Sequence, residues 1–373
     1  MHKHNELGVE ERFFDYPRES SKIKHKAVVD YFLAWANVLL ARSKIVGYAD
    51  LFAGPGKYKN GEKSIPMLIT EQVIDNDRLR RSVRLWFNDG DPEFAAQVET
   101  NVMSLPGIDR LQYKPAFTNI VVDRSMAEHE FSIPTLVFAD PCGYKGLSLA
   151  LITSALQGFG NDCLFFFNYS RVNMKLSYPV MDDSINEFFE KERAEALRQE
   201  IALRNPPARE EVVLNAIRSA IKKAKGIPVV FAFRTREGGG TSHHLVFASK
   251  HPKGASIMKN LMTSYSSEVI DGVGSWDFDP RDTQAKTLPL FSPLNNICER
   301  LLEQFAGRTQ TFRELLEEEA VETQYTETNY RDAVLRLEAD FRIQVSPPAE
   351  ERRMQAGNVK RTLPPDTTLQ FPT

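Results

Sequence analysis

Several apolar runs in this chain stop on residues able to do chemistry. In Tyr48-Ala49-Asp50-Leu51-Phe52-Ala53-Gly54-Pro55-Gly56 a carboxylate ends the run and two glycines follow at once. A strand that opens into Gly-x-Gly lets backbone approach a ligand without Cβ clash, as at the first strand of a doubly wound nucleotide crevice. Arg84-Leu85-Trp86-Phe87-Asn88-Asp89 repeats the pattern, and Asp91 follows in an Asp-Gly-Asp-Pro turn. The acidic residue closing the second strand of such a sheet receives ribose hydroxyls, which points to Asp89 with Asp91 as the alternative. Thr135 to Ala139 ends in Asp140-Pro141-Cys142-Gly143-Tyr144, and Cys163 to Phe167 runs into Asn168-Tyr169-Ser170-Arg171. A carboxylate placed there can take a proton from an acceptor amine or hydroxyl, and an arginine can fork onto phosphate or carboxylate. Asp140, Tyr144 and Arg171 are therefore the candidate catalytic residues. The competing structural readings are a ligand-free tight turn at Gly54 and Gly56 and a helix-capping Asp140 with a structural proline.

The elements that must position these residues follow from periodicity. Lys22 to Leu40 sets Val28, Val29, Phe32, Leu33, Ala36, Leu39 and Leu40 on a helical stripe behind Lys22, Lys24 and Lys26. A helix from Met67 to Ile74 follows the glycine loop, and roughly thirty-odd residues separate Asp50 from Asp89, as a βαβ unit requires. Leu111 to Phe117 is the expected third strand. Met181 to Ala224 reads as two inserted helices broken at Asn205-Pro206-Pro207, and Ile227 to Phe233 with Ser242 to Ala248 as a closing antiparallel pair. His243 and His244 point to opposite faces of that strand and no third ligand is spaced for a metal, so both read as structural and no metal site is expected. The expected class is α/β, with residues 1–288 forming the sheet domain (helical insertion about 174–226) and 289–373 a smaller domain. That tail holds three short helical patterns and a terminal hairpin from Ile343 to Phe371, the outline of a winged helix. From Gly307 onward it carries nine Lys/Arg against twelve Asp/Glu, so it is no basic DNA clamp; only Arg352, Arg353, Lys360 and Arg361 make a positive tip.

Composition narrows the function classes. With 42% hydrophobic and 26% charged residues and no long apolar run, the 373-residue chain is not expected in a membrane. A formal net charge of −3 limits any nucleic-acid contact to a local strip. Cys142, Cys163 and Cys298 are widely spaced and odd in number, which fits a reducing cytoplasm, and no apolar signal segment follows Met1.

Taken together, Asp50 to Gly56, Phe138 to Gly143, the Asn168 to Arg171 strand end, His244 to Ser249 and the helical tail resemble the three-Cys-motif partner (TcmP) proteins over nearly the whole length. The resemblance implies a class I methyltransferase-like, Rossmann-like doubly wound sheet with a winged helix behind it, S-adenosylmethionine as cofactor, and a separate partner protein carrying a three-cysteine, radical-S-adenosylmethionine-like motif. In such methyltransferases the Asp50-type carboxylate holds the amino-acid end of the cofactor, and Phe52, Ala53, Gly54 and Gly56 pass beneath its ribose. Asp140-Pro141 matches part of the [Asp/Asn/Ser]-Pro-Pro-aromatic segment of amino-methyltransferases, with Cys142 in place of the second proline and the aromatic Tyr144 delayed by a glycine. Related sheets often carry an acidic adenine reader after the third strand; here Thr118-Asn119 stands there, and Phe117 is left either to stack on adenine or to join the core. The methyl acceptor includes nucleic acid among its possibilities. The alternatives are a catalytically idle S-adenosylmethionine-binding subunit and a scaffold of a mobile-element or defence system.

Overall fold

The apolar runs become the inner strands of one large sheet. The computed structural model describes residues 19–123, 131–141, 146–177, 183–235, 239–281, 292–353 and 362–373. Its strands are β1 (Val46–Asp50), β2 (Val83–Asn88), β3 (Ala116–Thr118), β4 (Thr135–Ala139), β5 (Asp162–Phe167), β6 (Ile227–Arg234) and β7 (Thr241–Ser249). β8 (Val269–Ile270) and β9 (Val273–Gly274) pair separately, and β10 (Asp277–Phe278) lies at the edge of the main sheet beside β6. The order is β3-β2-β1-β4-β5-β7-β6-β10. β1 to β5 pair in parallel, whereas β7 runs antiparallel to both β5 and β6. The order turns back at β1, between β2 and β4, which is the switch point where a doubly wound sheet opens a crevice at its strand C-termini. The antiparallel β6–β7 closure is the one the methyltransferase resemblance implies, so the fold is a methyltransferase-like α/β sheet. The third strand is shorter than its sequence suggests: Pro115 cannot donate to the ladder, and pairing with β2 covers only Ala116 to Thr118.

Helices cover both faces. On one side lie α1 (Glu19–Leu39), α2 (Ile65–Asp75), α3 (Asp77–Ser82) and α4 (Pro92–Met103); α1 buries Val28, Phe32 and Ala36 as its stripe requires, and adds Tyr31 and Trp35. α5 (Leu149–Ala155), α6 (Tyr169–Ser177), α7 (Asp183–Phe189), α8 (Lys191–Ala202) and α9 (Pro206–Lys223) share a core with Val137, Phe165 and Phe167 on the other face. The insertion thus holds three helices rather than two. Glu190, at φ 70°, breaks α7 from α8, while Asn205 caps α9 and Pro206 and Pro207 fill its first turn. α10 (Pro252–Tyr265) follows β7.

The described residues divide into two compact units, one within 1–261 with Phe278–Arg281 and the other within 262–277 and 282–373. The second unit holds α11 (Pro293–Gln304), α12 (Phe312–Glu322) and α13 (Glu327–Ala339) with an antiparallel sheet ordered β11 (Thr309–Thr311), β13 (Thr368–Gln370), β12 (Gln344–Ser346). Thr311 with Glu314, and Thr326 with Asn329, close reciprocal capping boxes that start α12 and α13. Ile297, Leu301, Phe305, Phe312, Leu315, Val334 and Leu369 form its core. Glu319 is fully buried there, held by Arg300 Nε at 3.1 Å and the Tyr330 hydroxyl at 2.8 Å. Among the described residues no helix is long and apolar enough to cross a membrane.

Candidate functional site

Asp50 closes β1 at 1% exposure, and the Phe52 N–H donates to its Oδ1 at 3.2 Å. Burial pushes its carboxyl well above the usual range; the charges of Asp140 and Asp89 act the same way, while the Phe52 N–H and Lys24 oppose them. Tyr48, two residues back on the same strand face, is equally buried. Its hydroxyl is raised first by burial, then by the Asp50 charge and by hydrogen bonding with that carboxylate.

Gly54 (φ 61°) and Gly56 (φ 80°) adopt left-handed backbone, which only glycine takes without strain. The Gly54 N–H donates to Asp89 Oδ2 at 2.8 Å, the Asp91 N–H to Asp89 Oδ1 at 2.9 Å, and the Ala53 N–H to the Asn88 carbonyl at 2.8 Å. Asp91 instead caps α4, accepting from the Glu93 and Phe94 N–H groups. Of the two acids, Asp89 is the one joined to the turn. A Cβ on Gly56 would come within 3.3 Å of Val98 Cγ2, so this glycine serves the packing of the turn on α4.

Asn88, which the sequence reading passed over, ties three strand ends together. Its Nδ2 donates to the Leu51 and Ile120 carbonyls, and its Oδ1 accepts from the Ile120 N–H and the Thr118 hydroxyl. Ile120 and Val121 remain 45% and 70% exposed beside Gly90, an apolar surface next to Asp89. Phe117 packs on Phe87 at 5.8 Å and belongs to the core edge.

At the end of β4, Asp140 is engaged by Lys24, whose Nζ donates to Oδ2. Lys24 is 3% exposed, and its ammonium lies 4.7 Å from the Phe166 ring centroid, a ring that stacks on His243 at 4.9 Å. Tyr144 lies outside the described residues, as do Cys142 and Gly143. Arg171 sits in the first turn of α6, its N–H donating to Asn168 Oδ1, and among the described residues no contact joins its side chain to Asp140. The neighbouring His25 has Nε2 3.1 Å from the Tyr58 hydroxyl, and burial, helped by Lys24, lowers its pKa to about 3. The first turns of α1 therefore reach both the strand ends and the glycine loop. Lys24 carries a sequence signal only in hindsight: it stands at i−4 and i−8 from Val28 and Phe32, on the buried stripe, whereas Lys22 and Lys26 do not.

His244 is buried with Nε2 3.2 Å from Glu210 Oε1 and its ring against Tyr169. A groove of about 410 Å³ lined by Arg42, Lys44, Arg78 and Ser82 lies where β1 and β2 begin, the end opposite the crevice. The strand C-termini instead gather Asp50, Asp89 and Asp140 around a glycine turn. A buried carboxylate with no Lys or Arg at ion-pair distance among the described residues, beside a buried tyrosine hydroxyl, suits a cationic ligand that also offers polar groups. S-adenosylmethionine, with a sulfonium, an ammonium and ribose hydroxyls, fits that donor set. Asp50 and Asp89 would hold it, with Ile120 and Val121 flanking.

Residues 277–350 match the GMT-like wHTH domain family. No curated protein matches the chain. Solved structures similar to it include the methyltransferase domain of bacterial CtHen1 (11% identity, 59% of this chain and 96% of that one, TM-score 0.32). The plantazolicin methyltransferase BpumL in complex with a monoazolic desmethylPZN analog and SAH is another (11%, 65% and 89%, TM-score 0.35). Magnesium protoporphyrin IX methyltransferase (ChlM) from Synechocystis PCC 6803 with bound SAM is a third (10%, 66% and 91%, TM-score 0.34).

Proposed function

We propose that this chain is an S-adenosylmethionine-dependent methyltransferase of the TcmP type, acting with a three-cysteine-motif partner protein on an acceptor that includes nucleic acid among its candidates. The observation that carries the reading is the Asp89–Gly54 hydrogen bond, which locks the β2 carboxylate onto the β1 glycine turn at the switch point of the sheet. Bound there, the cofactor supplies an electrophilic methyl group. Asp50 would hold its cationic end and Asp89 its ribose hydroxyls, with the glycine turn giving backbone clearance. Asp140, with Oδ2 on Lys24, keeps Oδ1 for a proton of the acceptor amine or hydroxyl, and a carboxylate that draws on that proton exposes the lone pair for transfer.

Titration calorimetry with S-adenosylmethionine tests the cofactor, and transfer of labelled methyl to DNA, RNA or the partner protein tests the reaction. Binding lost in Asp50→Ala with the fold intact supports the reading. A parent chain that binds nothing removes it, and an Asp140→Asn chain that methylates at the parental rate removes the carboxylate from the chemistry.

A further inference from the structure

The edge of the sheet opposite the crevice is basic. The register sets Val46 beside Val83, Gly47 beside Thr135, Leu136 beside Asp162, and Ser249 beside both Asp162 and Ile227, so the residues just outside these positions share one edge. Arg42 and Lys44 precede β1 and, with Arg78 of α3 ahead of β2, line the groove of about 410 Å³. Lys225 precedes β6, and Lys250 and Lys253 follow β7. All six side chains are exposed, and among the described residues none is drawn into an ion pair, whereas Arg80 beside them is tied to Asp77. Besides Asp77, the exposed acids of the neighbouring described connections are Asp75 and Asp109. Phe159, 62% exposed between two glycines, stands three residues ahead of β5 and so between the two groups of cations in the strand order. Lys225 holds left-handed backbone at φ 62°, where the end of a helix ordinarily takes glycine, so a cation is kept there at a cost in strain.

We propose that this edge binds single-stranded nucleic acid, with phosphates running from the Arg42, Lys44 and Arg78 groove to Lys225 and Lys250 and a base stacked on Phe159. Neighbouring strands lie about 4.8 Å apart, so the five intervals from β2 to β6 span about 24 Å, room for several nucleotides. A row of unpaired cations suits a phosphate backbone, and an exposed ring in its midst offers the flat face on which an unpaired base stacks. An acidic polypeptide would meet the charges and leave the ring unused. Because the whole chain has a formal net charge of −3, the attraction is local to this edge and steers a polyanion toward it. The cofactor reading is independent of this one, since the crevice lies at the opposite ends of the same strands.

Fluorescence anisotropy of the full chain with labelled RNA and DNA single strands of about 12 nucleotides, the matching duplexes and labelled polyglutamate tests this. At least one single strand is expected to bind more tightly than duplex or polyglutamate, with affinity falling steeply as salt rises, and the two strands tell RNA from DNA. Arg42→Glu with Arg78→Glu, and separately Lys225→Glu with Lys250→Glu, are each expected to weaken binding about tenfold or more at low salt. Phe159→Ala is expected to weaken it about fivefold or more. Circular dichroism establishes that each variant is folded, and the two double variants alter separate elements, so either decides alone. A parent chain that binds neither single strand, duplex or polyglutamate bound as tightly, or affinity unmoved by the double variants or by Phe159→Ala overturns the inference. Titration of the same proteins with S-adenosylmethionine keeps the two readings apart: cofactor affinity is expected to be unchanged in these variants, and either reading can fail while the other stands.

Discussion

Asp89 Oδ2 accepts the Gly54 backbone N–H at 2.8 Å, so a side chain on β2 fixes the backbone of the turn that leaves β1. On the proposed reading, Asp89→Ala takes away the acceptor for the cofactor's ribose and at the same time frees that turn. The expected loss is about 1–3 kcal/mol of S-adenosylmethionine affinity. Asp91→Ala is expected to leave affinity alone and cost about 1 kcal/mol of stability through the α4 cap. Calorimetry and thermal melting on both variants separate the roles, and the reverse pattern would move the ribose contact to Asp91.

The Lys24–Asp140 pair joins α1 to the sheet from inside the protein. Lys24→Met strands a carboxylate with little access to water and is expected to cost about 3–5 kcal/mol, most of it recovered when Asp140→Asn is added. Denaturant titration of the two singles and the double closes the cycle. Additive single effects would mean the two side chains are not coupled.

Asp162, at the opposite end of the sheet, accepts the Tyr31 hydroxyl at 2.6 Å, and burial raises its pKa to about 6. Between about pH 4 and 6 the folded chain keeps a proton that the unfolded chain has released, so stability falls as pH rises through that window and the loss is complete above it. Asp162→Asn keeps an acceptor for Tyr31 and cannot ionise. It is expected to gain about 2–3 kcal/mol on the parent between pH 4 and 7, read by urea denaturation. A pH-independent difference between the two would rule the titration out.

His25 has the opposite sign. Held neutral down to about pH 3 by burial, it leaves the unfolded chain to take up the proton first, so its contribution is full above about pH 6.5 and is lost as pH falls toward 3. His25→Gln retains a partner for Tyr58 and is expected to flatten the acid limb by about 1.4 kcal/mol for each pH unit in that window. An imidazole resonance of the folded parent titrating near pH 6 would contradict the assignment.

In the winged helix, Arg300→Met leaves Glu319 buried with Tyr330 as its remaining described partner. A loss of about 3 kcal/mol is expected, against a smaller one for Glu319→Gln, which stays a hydrogen-bond acceptor without the charge. Denaturation of the full chain compares them, and equal losses would locate the effect in packing rather than charge.

Much of this architecture was legible because buried parallel strands are continuous apolar runs: β1, β2, β4 and β5 are read directly from Tyr48, Leu85, Leu136 and Phe165 and their neighbours. β3 was harder, since three residues beside a proline carry almost no periodic signal. Asp50, Asp89 and Asp140 could be found because they end such runs. Lys24 could not, because its partner lies 116 residues away and sequence spacing carries no record of distance across a sheet. Arg171, expected at a strand end, lies in the first turn of α6 because the helix begins at Tyr169, two residues after β5 closes.

That separation also bears on how the chain is made. α1 precedes every described strand, and besides Tyr58 its polar partners include Asp140 and, 131 residues beyond Tyr31, Asp162. An isolated helix of 21 residues is marginal in water, so during synthesis Phe32 can settle on Tyr48 of β1 early, whereas Tyr31 and Trp35 wait for Asp162 and Gly160 at the start of β5. A nascent chain halted before β5 therefore holds every acidic residue of the crevice while the Tyr31 and Trp35 part of α1 still lacks its partners.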